Sequence, residues 1–177
     1  LYGTPYEQGY AHGELLKDEV QALIHSVWKY VENEAEEMLE SLPEWLRHLV
    51  ADYGLAGALD ITYEITVKYT GSYFYEEMKG LSDASGVDYK TIRRIHLIGE
   101  LTKAQCSMFG AWGEATKSTG KTLQIRALDW ITDGPFQDHP MISIYHPMNS
   151  SYGQPFANAG FAGWIGSLSG MSSAQMA

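Results

Sequence analysis

A single cysteine, Cys106, stands in the 177-residue chain, and Arg126 and Asp129 follow at a spacing that a hairpin can fold back onto it. Cysteine supplies a soft nucleophile, arginine a permanent cation, and aspartate an anion that orients a cation. A free thiol is only a few per cent thiolate at neutral pH, so a nucleophilic cysteine needs such company. Ser118-Thr119-Gly120-Lys121 reads as a hairpin signal between a strand at Cys106–Trp112 and a second at Leu123–Trp130. Arg126 and Asp129 are three positions apart, so a regular strand cannot present both on one face. A bend or a strand end must bring one of them round. Without these neighbours, a cysteine in an apolar stretch reads as buried core.

The elements that must position these groups differ on the two sides of Cys106. From Tyr6 onward the sequence reads as helix, with Leu16, Val20, Leu23, Val27, Tyr30 and Val31 at three- and four-residue spacing. Gly9 and Gly13 share a face where another backbone can approach closely. Glu32, Glu34, Glu36, Glu37 and Glu40 encircle the helix without converging, so they read as a solvated surface. Pro43 suits a helix start and precedes Trp45, Leu46, Leu49 and Val50. Ile61, Tyr63, Ile65, Val67 and Tyr69 alternate with polar residues, which is strand period within helical surroundings; both readings stand. Asp88 is an N-cap for a helix with Ile92, Ile95, Ile98 and Leu101 inward, running to Gln105-Cys106.

Residues 1–105 carry 18 acidic and nine basic side chains; residues 106–177 carry four and three, with nine of the 18 glycines. The first part reads as a solvated helical layer and the second as buried sheet with turns, an α+β chain. Met141–Tyr145 and Phe156–Ile165 read as further strands. Gly160–Ala177 reads as core strand that stops without a turn, so the expectation is a domain continuing past Ala177.

Several classes are disfavoured. A formal charge of −10 opposes nucleic acid or an anionic membrane as partner. No apolar run approaches the length of a membrane span. One cysteine excludes an intrachain disulfide framework and a multi-thiolate zinc site, and His12, His25, His48, His96, His139 and His146 lack metal spacing. No metal and no cofactor is expected. Gly160, Gly163 and Gly166 do not form a dinucleotide loop and read as close packing in a sheet. The serines of Ser167–Ser173 form no nucleophile elbow. Asn149-Ser150-Ser151 is a glycosylation triplet.

The run Glu76-Glu77-Met78-Lys79-Gly80-Leu81-Ser82-Asp83-Ala84-Ser85-Gly86, then Cys106-Ser107, Gly120-Lys121 and Arg126-Ala127-Leu128-Asp129-Trp130, resembles the cysteine N-terminal nucleophile hydrolases. Within them it is similar to the linear amide hydrolases grouped with penicillin acyltransferases, choloylglycine hydrolases and acid ceramidases. Gly9-Tyr10-Ala11-His12-Gly13, Gly160–Gly166 and Gly170-Met171-Ser172-Ser173 fit the same group. The resemblance implies a four-layer αββα fold, present here in part, made as a precursor that cuts itself between Gln105 and Cys106. Residues 1–105 would then be the pro-segment or α-subunit region and 106–177 the start of the β-subunit, the two chains staying associated. It implies Cys106 as nucleophile with its freed α-amine as base, Asp129 holding that amine, and Arg126 against the thiolate and substrate carbonyl. An α-amine near pKa ~7.7–8.0 is better matched to neutral pH than a lysine near ~10.4. Oxyanion-hole asparagines are expected beyond Ala177, and Asn158 is not among them.

The expected reaction is hydrolysis of an acylated amine, with Phe109 and Trp130 as substrate-binding residues and Trp112 and Phe136 as further apolar wall. Two alternatives stand: a phospholipase B-like hydrolase of a lipid or ester, and a non-catalytic acidic binding protein on the same fold. An acidic pI near 4.9 and Asn149 point to a secreted or lysosomal compartment.

Overall fold

A computed structural model describes residues 1–33, 44–101, 105–129, 134–150 and 153–174. Glu34, Glu36, Glu37, Glu40, Pro43, Lys103, Trp130, Ser151 and the last three residues lie outside them. Strand β1 (Tyr2–Gly3) leads into α1 (Pro5–Leu15), α2 (Lys17–Asn33), α3 (Glu44–Thr66), α4 (Ser72–Ser85) and α5 (Tyr89–Leu101). Then come β2 (Gln105–Ala111), β3 (Leu123–Asp129), β4 (Pro140–Pro147), β5 (Phe156–Phe161) and β6 (Ser169–Ser172). The chain is α+β, helical first and strand-rich afterwards.

Helix α1 starts where Thr4 and Glu7 cap each other: Glu7 N–H donates to Thr4 Oγ1 at 3.3 Å and Thr4 N–H to Glu7 Oε2 at 2.7 Å. With Pro5 in the first turn, three of the sequence features that start helices coincide. The stripe Val20, Leu23, Ile24, Val27 and Val31 of α2 is buried, as its spacing requires. Helix α4 ends at Gly86, in the left-handed region at φ 78°, and Asp88 Oδ2 accepts Thr91 N–H at 2.9 Å to open α5. Ile92, Ile95 and Ile98 then face the core.

Helix, not strand, occupies residues 60–66, followed by a short 3₁₀ turn at Val67–Tyr69. The alternating apolar side chains build no buried face: Ile65 and Tyr69 are exposed, while Ala58, Leu59 and Thr62 are buried at helical spacing. Thr62 and Thr66 hydroxyls donate to the carbonyls of Ala58 and Thr62, both at 2.8 Å, which settles two β-branched residues inside a helix.

Glycine sets the closest helix contact. A Cβ at Gly9 of α1 would fall on the Glu77 carbonyl of α4, and one at Gly80 would fall on the Tyr6 carbonyl and Tyr10 amide of α1. Gly13 packs against the Leu81 carbonyl in the same way. The face expected at Gly9 and Gly13 is therefore the seam between α1 and α4.

The strands form two sheets. One has order β1-β4-β5-β6, parallel at β1–β4 and antiparallel elsewhere; the other is the hairpin β2–β3. The last strand reading needs correction. Phe156–Ile165 and Gly160–Ala177 are not continuous strands: β5 stops at Phe161, and a loop through Gly163 and Gly166 separates it from β6. Both glycines sit at positive φ, 79° and 94°, so their spacing serves a turn rather than sheet packing. Ala162 and Ile165 of that loop are buried in the helical core. The reading of residues 106–177 as buried sheet also fails for the hairpin, where Met108, Phe109, Leu123 and Ile125 are exposed.

Candidate active site

Pairing of β2 with β3 sets Cys106 opposite Leu128, Met108 opposite Arg126, and Gln105 opposite Asp129. Residues directly opposite share a face and alternate along each strand, so Cys106, Met108, Arg126 and Leu128 lie on one face. Arg126 Nη2 donates to Cys106 Sγ at 2.9 Å. Its Nη1 donates to Ser169 Oγ on β6 at 2.8 Å. One guanidinium thus holds the exposed thiol of the hairpin and a strand of the other sheet. A guanidinium fork suits this because its donors diverge at fixed angles.

Asp129 stands one register step away. Its backbone lies across from Gln105, beside the Gln105–Cys106 peptide bond, and its register position alternates with that of Arg126. The three-residue separation therefore has the consequence expected from strand geometry. Phe109 pairs with Ile125, out of phase with Cys106, so the structure does not bring it to the thiol. Trp130 lies outside the described residues. Trp112 is exposed just past β2, and Phe136 packs on Phe161 and Trp164 at centroid distances of 5.0 and 5.8 Å. Asn149 is exposed, while Ser151 of its triplet is outside the described residues. Among the described residues no cluster of ligating side chains could hold a metal ion. Nor is any described helix long and apolar enough to cross a membrane.

Ser169 was not singled out by sequence, though it belongs to the serine run rejected as a hydrolase motif. Its register places it in a row with Ala159 and Ile142; the next row on that face is Met171, Ala157 and Ile144. The opposite face carries Tyr145, Phe156, Ser143 and Asn158 toward the helices. Arg126 therefore reaches the face turned away from the helices, where Ile142, Ile144 and Met171 are 75%, 53% and 66% exposed. Asn158 acts on the inner side: it donates to the Gly166 carbonyl at 3.1 Å and accepts from Leu168 N–H at 3.0 Å and Ser167 Oγ at 3.2 Å. It fixes the loop that delivers Ser169.

Two histidines brace the same loop. His12 Nε2 accepts Gly163 N–H at 2.9 Å, and His96 Nε2 accepts Ile165 N–H at 2.7 Å. Both rings must be neutral to accept. Burial lowers each to about 4.

Comparison with known proteins finds two relatives whose names state no activity. The chain is similar to protein dcd1B of Dictyostelium discoideum, at 41% identity over 177 residues covering 97% of this chain and 35% of the relative. It is also similar to protein dcd1A of the same organism, at 43% identity over 182 residues covering 97% and 41%. The chain thus spans less than half the length of these curated relatives. No known family model matches it.

Proposed function

We propose that the protein is a self-processing cysteine hydrolase of linear amides, with Cys106 as nucleophile, and that the four-layer αββα fold implied by the sequence resemblance is its architecture. The observation that carries the reading is the contact of Arg126 with Cys106 Sγ at 2.9 Å. The order of layers supports it too: helices pack on one face of the four-stranded sheet, and Arg126 of the hairpin meets the other. The relatives are longer than this chain, which leaves room for the remaining layers and for oxyanion donors outside it.

In processing, Cys106 Sγ attacks the Gln105 carbonyl carbon. The Gln105–Cys106 C–N bond breaks, the nitrogen takes the proton, and water hydrolyses the resulting thioester. Gln105 then ends as a carboxylate and Cys106 begins with a free amine. That amine would take the thiol proton during turnover, with Asp129 beside it, the backbone of Asp129 lying across from the bond that breaks. Sγ attacks the substrate amide, the amine leaves with the proton, and water releases the acid. Arg126 would stabilise charge on sulfur and on the developing oxyanion. Ile142, Ile144 and Met171, on the face that Arg126 reaches, would take the acyl chain in place of Phe109. The same apolar face suits a lipid ester, the phospholipase B-like alternative. A secreted or lysosomal compartment accords with this reading.

Intact-mass measurement and N-terminal sequencing of the full-length protein test it. The expected result is a second chain beginning Cys-Ser-Met-Phe, absent from Cys106→Ala. Active material that contains only the uncut chain would overturn the mechanism. An uncut, inactive wild type favours the non-catalytic binding protein. Turnover of an N-acyl amine against the matching ester separates the amide and ester readings.

A further inference from the structure

A cavity of about 530 Å³ lies between the helices and the inner face of the four-stranded sheet, on the side opposite Arg126 and Ser169. Its walls include Tyr73, Phe74, Tyr145 and Phe156, and two buried polar side chains, Glu77 and Gln8, line it. Glu77 and Gln8 are 7% and 8% exposed. Tyr145 OH donates to Glu77 Oε1 at 2.8 Å and stacks on Phe156 at 4.7 Å, which fixes the carboxyl against an aromatic wall. Oε2 of Glu77 and the Gln8 amide have no hydrogen-bond partner among the described residues. Among the described residues no lysine, arginine or histidine lines the cavity.

We propose that this cavity binds a small organic ammonium ligand with an apolar body, its cationic head on Glu77 and Gln8 and its body between the aromatic rings. A carboxyl buried without a cation is costly, and burial raises Glu77 to about 7. An ammonium group supplies the missing charge and the donors that Oε2 and the Gln8 carbonyl oxygen lack. Aromatic faces attract the same charge through their quadrupoles, whereas an anionic ligand would meet Glu77 and, among the described lining residues, no compensating cation. The volume falls in the range of small-molecule sites. The inference does not depend on the Cys106 chemistry, because the cavity and the Arg126–Ser169 contact lie on opposite faces of the four-stranded sheet.

Calorimetric titration of the full-length protein with phenethylammonium chloride, at about pH 8 where the Glu77 carboxyl is mostly ionised, tests the proposal, with 2-phenylethanol as the neutral counterpart. The cation should bind about tenfold or more tightly than the alcohol. Glu77→Gln keeps an acceptor for Tyr145 and should remove that preference, while Cys106→Ala should retain it. Equal affinity for cation and alcohol in the wild type, or no binding of either up to the millimolar range, overturns the proposal, and neither result depends on a variant folding. A folded Glu77→Gln protein that binds the cation as the wild type does overturns it too.

Discussion

Arg126 and Ser169 belong to different sheets, 43 residues apart, and the 2.8 Å bond from Nη1 to Oγ joins them. The other guanidinium nitrogen is on Cys106 Sγ, so one cation links the thiol to strand β6. Iodoacetamide should therefore alkylate Cys106 about tenfold more slowly in Arg126→Ala, where the cation beside sulfur is gone. Ser169→Ala should slow it by a smaller factor, since the guanidinium remains but is held at one end only. Equal rates in all three proteins would separate Arg126 from the thiol.

Asp129→Asn keeps the side-chain volume and removes the charge. In the proposed mechanism that charge orients a cationic amine, so self-cleavage and turnover should fall by about hundredfold or more. Thermal unfolding should be unchanged within a few degrees. Full turnover in the variant would remove Asp129 from the site.

Glu77 gives stability a downward slope with pH. Its carboxyl is raised to about 7 in the folded protein against about 4.5 unfolded, so the folded state holds the proton more tightly. The contribution is fully present below the unfolded value and is lost as pH rises through about 7. Glu77→Gln cannot lose it. The stability of that variant relative to wild type, from urea unfolding at several pH values, should rise by about 3 kcal/mol between roughly pH 4.5 and 8.

His12 and His96 slope the other way. Each is lowered to about 4 from 6.5, so its contribution is present above 6.5 and is lost as pH falls through about 4. Protonation would also break the bonds from Gly163 and Ile165 N–H that hold the loop leading to Ser169. His12→Gln leaves an acceptor that does not titrate. Its acid unfolding should lose up to about 3 kcal/mol less than wild type between pH 6.5 and 4, read by the same urea series.

Gly9→Ala pits two effects against each other. Alanine gains about 1 kcal/mol of helix propensity over glycine, and overpacking costs about 1–3 kcal/mol. Here the new Cβ meets the Glu77 backbone carbonyl rather than a side-chain tip that could swing aside, so the clash wins. The variant should unfold at a lower temperature by several degrees in a thermal melt, and Gly80→Ala likewise. An increase in melting temperature would show that α1 and α4 can separate at little cost.

What could be read from the chain alone was whatever depends on neighbours along it. The stripes of α2 and α5, the Asp88 cap, the hairpin after Cys106 and the alternation that parts Asp129 from Arg126 are all local periodicities. So was the thiol–guanidinium pair, because a hairpin brings together residues close in sequence. Residues 60–66 escaped that logic: their alternation fits a strand, and only packing of Ala58, Leu59 and Thr62 on the core selects the helix. Gly163 and Gly166 were misplaced for a similar reason, since spacing does not distinguish a sheet contact from a turn at positive φ. Ser169 under Arg126, the histidines on the 163–165 loop, and Glu77 lining one cavity with Gln8 and bonded to Tyr145 join segments 43 to 151 residues apart. No pattern in the sequence encodes those distances; they exist because helices and sheet share one buried layer, and tertiary packing alone chooses which side chains meet there.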